Sequence, residues 1–238
     1  MLRSIARPLE RVNKKLNGHL IFYLLLNFIA NHSMTRHIKA MQRVRIRDIR
    51  NAEFIEATLH AVHKHGLGAV TMSEIAQETG ATAASISYYF GSKERLMEAT
   101  MRHLLGLLRG AVVRNLATAK DPRDRLYAIL DANFDDTLFT AEKCSVWVQF
   151  WSAAPYAPAL ARLQKLNRAR VASHLRRDLR PLVATDQAFT IRQNLQSYMD
   201  GVWLNAAQTE TEVNALQARR EARAVLDLLL ASDHSPRG

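Results

Sequence analysis

One cysteine, Cys144, is too few for an internal disulfide and fits a reducing compartment such as the cytoplasm. Glycine and proline occupy only 9 and 6 of the 238 positions, while 48% of the residues are apolar. That balance excludes a loop-rich or disordered chain and is enough for a buried core. No segment alternates apolar and polar residues with a period of two, so strands are not expected. A Gly-rich phosphate loop, a nucleophile elbow and a metal-spaced ligand set are all missing, so the chain is expected not to be an enzyme and to carry no cofactor or metal. His60, His63 and His65 cluster without a fourth ligand at metal spacing, and Cys144 lies on an apolar helical stretch that suits a core thiol. The most apolar run, Leu20 to Ala30, falls short of the roughly 20 residues that cross a bilayer.

Positive charge is plentiful but uneven. The net charge is +11. Residues 1–50 hold 11 Lys and Arg against Glu10 and Asp48, whereas the remainder holds 22 against 20. Within 51–90, Lys64 alone faces Glu53, Glu56, Glu74 and Glu78. A basic arm with Arg43, Arg45, Arg47 and Arg50 therefore precedes an acidic segment, and such an arm can neutralise phosphates. Residues 1–40 combine scattered Arg and Lys with the apolar run, much like an export signal. They are expected to be an upstream extension, with the functional start at Met41, or alternatively a membrane-contacting segment. No stable membrane association is expected. The last residues, 233–238, form a tail.

The stretch from Thr71 to Phe90, TMSEIAQETGATAASISYYF, organises the rest. Thr71-x-x-Glu74 is a capping box that starts a helix. Ala76 is small enough for a close helix crossing, and Gly80 stops that helix in a left-handed conformation. Thr82 caps a second helix, and Ile86 returns an apolar side chain to the shared core. Ala, Gly four later and Ile ten later is the spacing of a DNA-binding helix-turn-helix. A preceding helix from Asp48 to His65, with Phe54, Thr58, Leu59 and Val62 inward, completes a three-helix domain, because two short helices alone bury too little surface. On the recognition helix, Thr82, Ala83, Ser85, Ser87 and Tyr88 are placed for the major groove, and Thr71, Tyr89 and Lys93 for phosphates. Neither Arg nor Asn lies on that helix, so affinity should depend heavily on the basic arm and on salt.

Beyond Phe90 the pattern stays helical. Helices are expected from Ser92, from Asp121-Pro122, from about Thr140 to Ala153, from about Ala157 to Leu179, from Thr185 or Asp186, and from about Glu212 to Leu230. Leu166 is expected to face inward on the fourth of these. The expected architecture is all-α, with DNA-binding residues 41–92 and a larger ligand-binding and dimerisation domain over 93–232. Trp147, Phe150 and Trp151 stand at i, i+3 and i+4, and Trp203 follows Asp200 by three. Aromatic faces with a nearby carboxylate bind quaternary ammonium groups; the same spacing also suits plain core packing. Asp200-Gly201 in mid-helix is unfavourable for a helix, which draws attention to that spot.

These stretches resemble the TetR family of one-component repressors. Tyr88-Tyr89-Phe90-Gly91-Ser92-Lys93 matches the end of that family's recognition helix. Within the family the resemblance is to choline-responsive regulators of glycine-betaine genes. It runs through Glu56-Ala57-Thr58-Leu59, Ile86-Ser87, Glu98-Ala99-Thr100-Met101-Arg102, Asn133-Phe134-Asp135, Trp147, Phe150-Trp151, Arg162-Leu163-Gln164, Asp200-Gly201 and Trp203-Leu204. The resemblance implies a homodimer on double-stranded operator DNA, paired through the last two helices, with choline as the small cationic effector. Binding would shift the helix joining the two domains. A bulkier lipophilic cation, as in efflux-type regulators, is the alternative effector. Ala84 and Tyr88 depart from the subgroup's pattern on the DNA side, and Cys144-Ser145 departs beside the expected ligand pocket.

Overall fold

The computed structural model describes residues 45–209 and 212–231. The 1–40 extension, the Met41 start, Arg43 and the 233–238 tail fall outside them. Residues 45–52 belong to a different compact unit from the residues after them and are taken by themselves. They are helical throughout, so Arg45, Arg47 and Arg50 sit on a helix.

Every element described is helical, and no strand occurs among the described residues. Helical backbone over 53–65 (α1) buries Phe54, Ala57, Thr58, Leu59, Ala61 and Val62. It ends at Gly66, whose φ of +83° lets its N–H return to the Val62 carbonyl at 2.9 Å. The short helix α2, Met72–Gln77, opens with the expected capping box: Glu74 N–H donates to Thr71 Oγ1 at 3.2 Å and Thr71 N–H to Glu74 Oε2 at 2.7 Å. At its end Gly80 has φ +63°, and Ala81 N–H closes back on the Ala76 carbonyl at 3.0 Å. The recognition helix α3, Ala83–Phe90, is capped by Thr82, whose hydroxyl accepts the Ser85 N–H at 3.1 Å. Ile75, Ala76 and Ile86 are buried together with Phe54, so the three helices share one core.

Six more helices follow among the described residues: α4 Lys93–Leu116, α5 Pro122–Asn133, α6 Ala141–Ala153, α7 Pro158–Leu179, α8 Thr185–Gln208 and α9 Ala215–Ala231. Caps from Ser92, Asp121 and Thr140 stand where the sequence placed them. Two caps differ. Ala184 precedes α8, and its N–H is held by Gln187 Oε1 at 3.1 Å, so neither Thr185 nor Asp186 is the cap. Asn214 caps α9 through the Gln217 N–H at 2.9 Å, which starts that helix three residues later than its apolar periodicity suggested. Leu166, expected inward, is 52% exposed. Its helix instead buries Leu160, Leu163, Val171, Leu175 and Leu179.

Helix α6 packs broadly along α8, and α5 is sandwiched by α4, α7 and α9. Polar clips reinforce this scaffold. Asp178 on α7, buried, accepts from Arg125 of α5 at 3.1 Å and from Arg177. Asp227 on α9 accepts from Arg123 and Tyr127 of α5, and Arg223 pairs with Asp131. Small residues Ala215, Ala218 and Ala222 let α9 lie close, while Leu216 and Leu228 stay exposed, as do Phe189 and Leu204 on α8.

Candidate functional site

The recognition helix has a bare, uncharged outer face. Its sequence, AASISYYF, contains no ionisable group other than the two tyrosines. Thr82, Ala84, Ser87 and Tyr88 are exposed, Tyr88 by 83%, and Ala83 and Ser85 are half-buried. This surface offers hydroxyl hydrogen bonds and methyl contacts, the two kinds of contact that short side chains make to base edges. Ala84 belongs to this face by exposure, although the sequence noted it only as a departure from a pattern. Tyr89 is half-buried, its ring 5.5 Å from Phe54, and Phe90 lies 6.3 Å from Phe54 on the same side. Phe54 thus fixes the end of the recognition helix.

Thr71 is committed to capping. Its hydroxyl accepts from Glu74 N–H and donates to Glu74 Oε2 at 2.9 Å, and its own N–H bonds the same carboxylate. Those bonds hold the Glu74 carboxyl below its usual range, the Thr71 amide contributing most and its hydroxyl next. Lys93, at the first position of α4, has its ammonium 3.4 Å from the Gly68 carbonyl.

The second cluster lies between α6 and α8. Trp147 and Trp203 meet with ring centroids 4.9 Å apart, and Phe139 approaches Trp203 edge-on at 5.6 Å, with Phe134 beyond it. Trp147 is 3% and Trp203 4% exposed. The Trp147 Nε1–H is buried and has no acceptor among the described residues. Phe150 is buried and Trp151 half-buried, but no ring pairing joins either to the Trp147–Trp203 pair. Asp200 already has partners: Gln196 Nε2 at 2.9 Å and Arg168 Nη2 at 3.2 Å. Burial pushes its carboxyl above the ordinary value, and the Gln196 bond and the Arg168 charge offset part of that rise. Phe139 and Arg168 were not legible as parts of this site, since each meets it through a partner distant in sequence, Trp203 for Phe139 and Asp200 for Arg168. Cys144 is fully buried, and burial pushes its thiol up to about 12, as suits a core residue.

Two of the clefts among the described residues lie in the larger helical domain. One, of about 640 Å³, has Asp136 and Glu212 at its edge and Phe139 and Val213 in its wall. The other, of about 360 Å³, lies between α4, α5 and α7 and is rimmed by Arg109, Arg170 and His174. In the first, Asp136 is already paired with Arg219 at 3.3 Å.

A three-helix head with a capped, uncharged recognition helix, joined to a larger helical domain with its own clefts, defines a helix-turn-helix DNA-binding regulator, not an enzyme. Residues 54–100 match the family model for bacterial regulatory proteins of the tetR family, and residues 122–231 match that for BetI-type transcriptional repressors, C-terminal. The chain belongs to the TetR family of transcriptional regulators and is of the BetI type. It is 40% identical over 194 residues to the HTH-type transcriptional regulator BetI of Burkholderia lata, covering 81% of this chain and 100% of that protein. A transcriptional regulator from Pseudomonas aeruginosa PAO1 shares the fold with a TM-score of 0.62 at 26% identity, over 79% of this chain and 93% of that one. A regulator from Saccharomonospora viridis, solved in complex with choline, is likewise similar in fold, with a TM-score of 0.62 at 22% identity over 76% of this chain and 96% of its own.

Proposed function

We propose that this repressor leaves its operator when it binds choline, and so controls genes for choline uptake and glycine-betaine synthesis. The observation that carries the effector is the buried Trp147 Nε1–H without an acceptor, set in an aromatic cluster. A buried unpaired donor costs about 1–3 kcal/mol, and a ligand with both a quaternary ammonium and a hydroxyl answers donor and rings together. The cleft lined by Asp136 and Glu212 adjoins Phe139, which touches Trp203, and so lies next to the aromatic cluster. Because Trp147 and Trp203 are in contact, entry requires them to part. The ligand then favours the parted state by its differential affinity. Asp200 and Arg168 would rearrange with it.

On the DNA side, Thr82, Ala83, Ser85, Ser87 and Tyr88 read the major groove. Tyr89, Lys93 and the basic residues Arg43, Arg45 and Arg47 serve phosphates, while Thr71 spends both of its donors on Glu74. Two heads must meet successive major grooves about 34–36 Å apart, so the working unit is a homodimer. The exposed Phe189, Leu204, Leu216 and Leu228 on α8 and α9 supply an apolar face for that pairing.

The test is a gel shift of the full 238-residue chain on DNA upstream of its own gene, titrated with choline. Release by choline is expected, and weaker release as pH falls. Asp200, with its raised carboxyl, protonates at a higher pH than an ordinary aspartate of about 3.9 and loses the charge that favours a cation. Release by a bulky lipophilic cation with indifference to choline would instead identify an efflux-type regulator.

A further inference from the structure

Helix α6 has two working stripes. Trp147 and Trp151 stand on one, while Glu142, Ser145 and Gln149 stand at i, i+3 and i+7 on another. The second stripe meets the DNA-binding head. Gln149 Oε1 accepts the Leu67 N–H at 2.6 Å, and Gln149 Nε2 donates to the Val62 carbonyl at 3.3 Å. Ser145 Oγ accepts a further bond from the same nitrogen at 3.3 Å. One side-chain amide thus grips both sides of the turn at Gly66 that carries the chain from α1 into α2. Cys144-Ser145 is therefore split in role: the thiol packs in the core and the hydroxyl braces Gln149.

Other contacts between the head and the helices beyond it are weaker candidates for this task. His60 lies 3.4 Å from Glu142, and His103 lies 3.2 Å from Glu56, but one side chain of each pair is more than half exposed, so solvent screens it. Gln149 is half-buried, neutral and bonded through both ends of its amide. Its backbone is two residues from Trp147 on the same 13-residue helix, so a shift of that helix carries both side chains.

We propose that Gln149 is the positioning residue that transmits the state of the Trp147–Trp203 cluster to the recognition helices, by holding the α1–α2 turn to α6. The nature of the signal rests on the effector proposed above; the route does not.

The full-length chain is tested as Gln149→Ala and as Gln149→Glu, which keeps an acceptor for Leu67 but sets a carboxylate against the Val62 carbonyl. Operator affinity is measured by fluorescence anisotropy with and without choline, and choline binding to DNA-free protein by tryptophan fluorescence. The choline-induced loss of operator affinity should shrink about tenfold in both variants, with choline binding itself within about twofold of the parent. A drop in melting temperature and operator affinity with an unchanged choline effect would mark Gln149 as merely structural and overturn the proposal.

If choline does not release the parent chain, the effector is wrong and a second arm still decides the route. Trp203→Phe should then change operator affinity in the parent and by less than half as much, in free energy, in the Gln149→Ala background. Additive effects, or no effect of Trp203→Phe at all, would overturn the proposal.

Discussion

The DNA-binding head and the aromatic cluster are built on opposite principles. In the head, the caps and the turn are set by partners a few residues away: Thr71 with Glu74, Thr82 with Ser85, Gly80 with its own backbone. Its outer face is left free of charge and largely exposed. In the cluster, Trp147, Trp203 and Phe139 come from separate elements, exclude solvent, and leave a donor unpaired in the interior. A surface that must meet varied base edges is kept simple and rigidly mounted, whereas a site that must respond keeps an unsatisfied group that a ligand can relieve. Among the contacts that join the two, the half-buried amide of Gln149 bonds the head through both of its ends.

Three substitutions in the head sharpen the contrast, because their effects divide between folding and DNA contact. Phe54→Ala should have the largest effect. It removes the ring against which Tyr89 and Phe90 pack and leaves a cavity, costing about 3–5 kcal/mol. Chemical denaturation should show the loss, and operator binding should disappear with it. Gly80→Ala comes next. No heavy atom lies within 4 Å of the added methyl, so the cost is the left-handed backbone alone, about 1–2 kcal/mol. A much larger measured loss would mean that the turn tolerates no backbone adjustment at all. Tyr88→Ala should be smallest in stability, within about 0.5 kcal/mol, because the ring is 83% exposed. Operator affinity should nonetheless fall about tenfold. An unchanged gel shift would remove Tyr88 from the DNA-contact face.

Much of the head was legible because its signals are short-range. A capping box, a left-handed glycine and the apolar positions Ala76 and Ile86 are all expressed within 20 residues. The same applied to the caps at Ser92, Asp121 and Thr140. Where the caps were misread, the reason was physical. Ala184 has no side chain with which to advertise a helix start, and Val213 continues an apolar rhythm into residues that precede the helix. Leu166 followed the periodicity of its helix, but no neighbouring element covers it among the described residues. Phe150 and Trp151 shared a helix face with Trp147, yet which aromatic meets which depends on where α8 lies.

The amino-acid sequence alone determined the all-helical fold, the helix-turn-helix and its uncharged recognition surface, since hydrogen-bonding caps and apolar periodicity act over one or two turns. Only the tertiary structure decided that Asp200 is shared with Arg168, that Phe139 completes the aromatic cluster, and that Gln149 reaches the α1–α2 turn. Those pairings join residues 32 to 87 positions apart. They exist because helix packing brings the faces together, and no local pattern encodes the face that a neighbour will present.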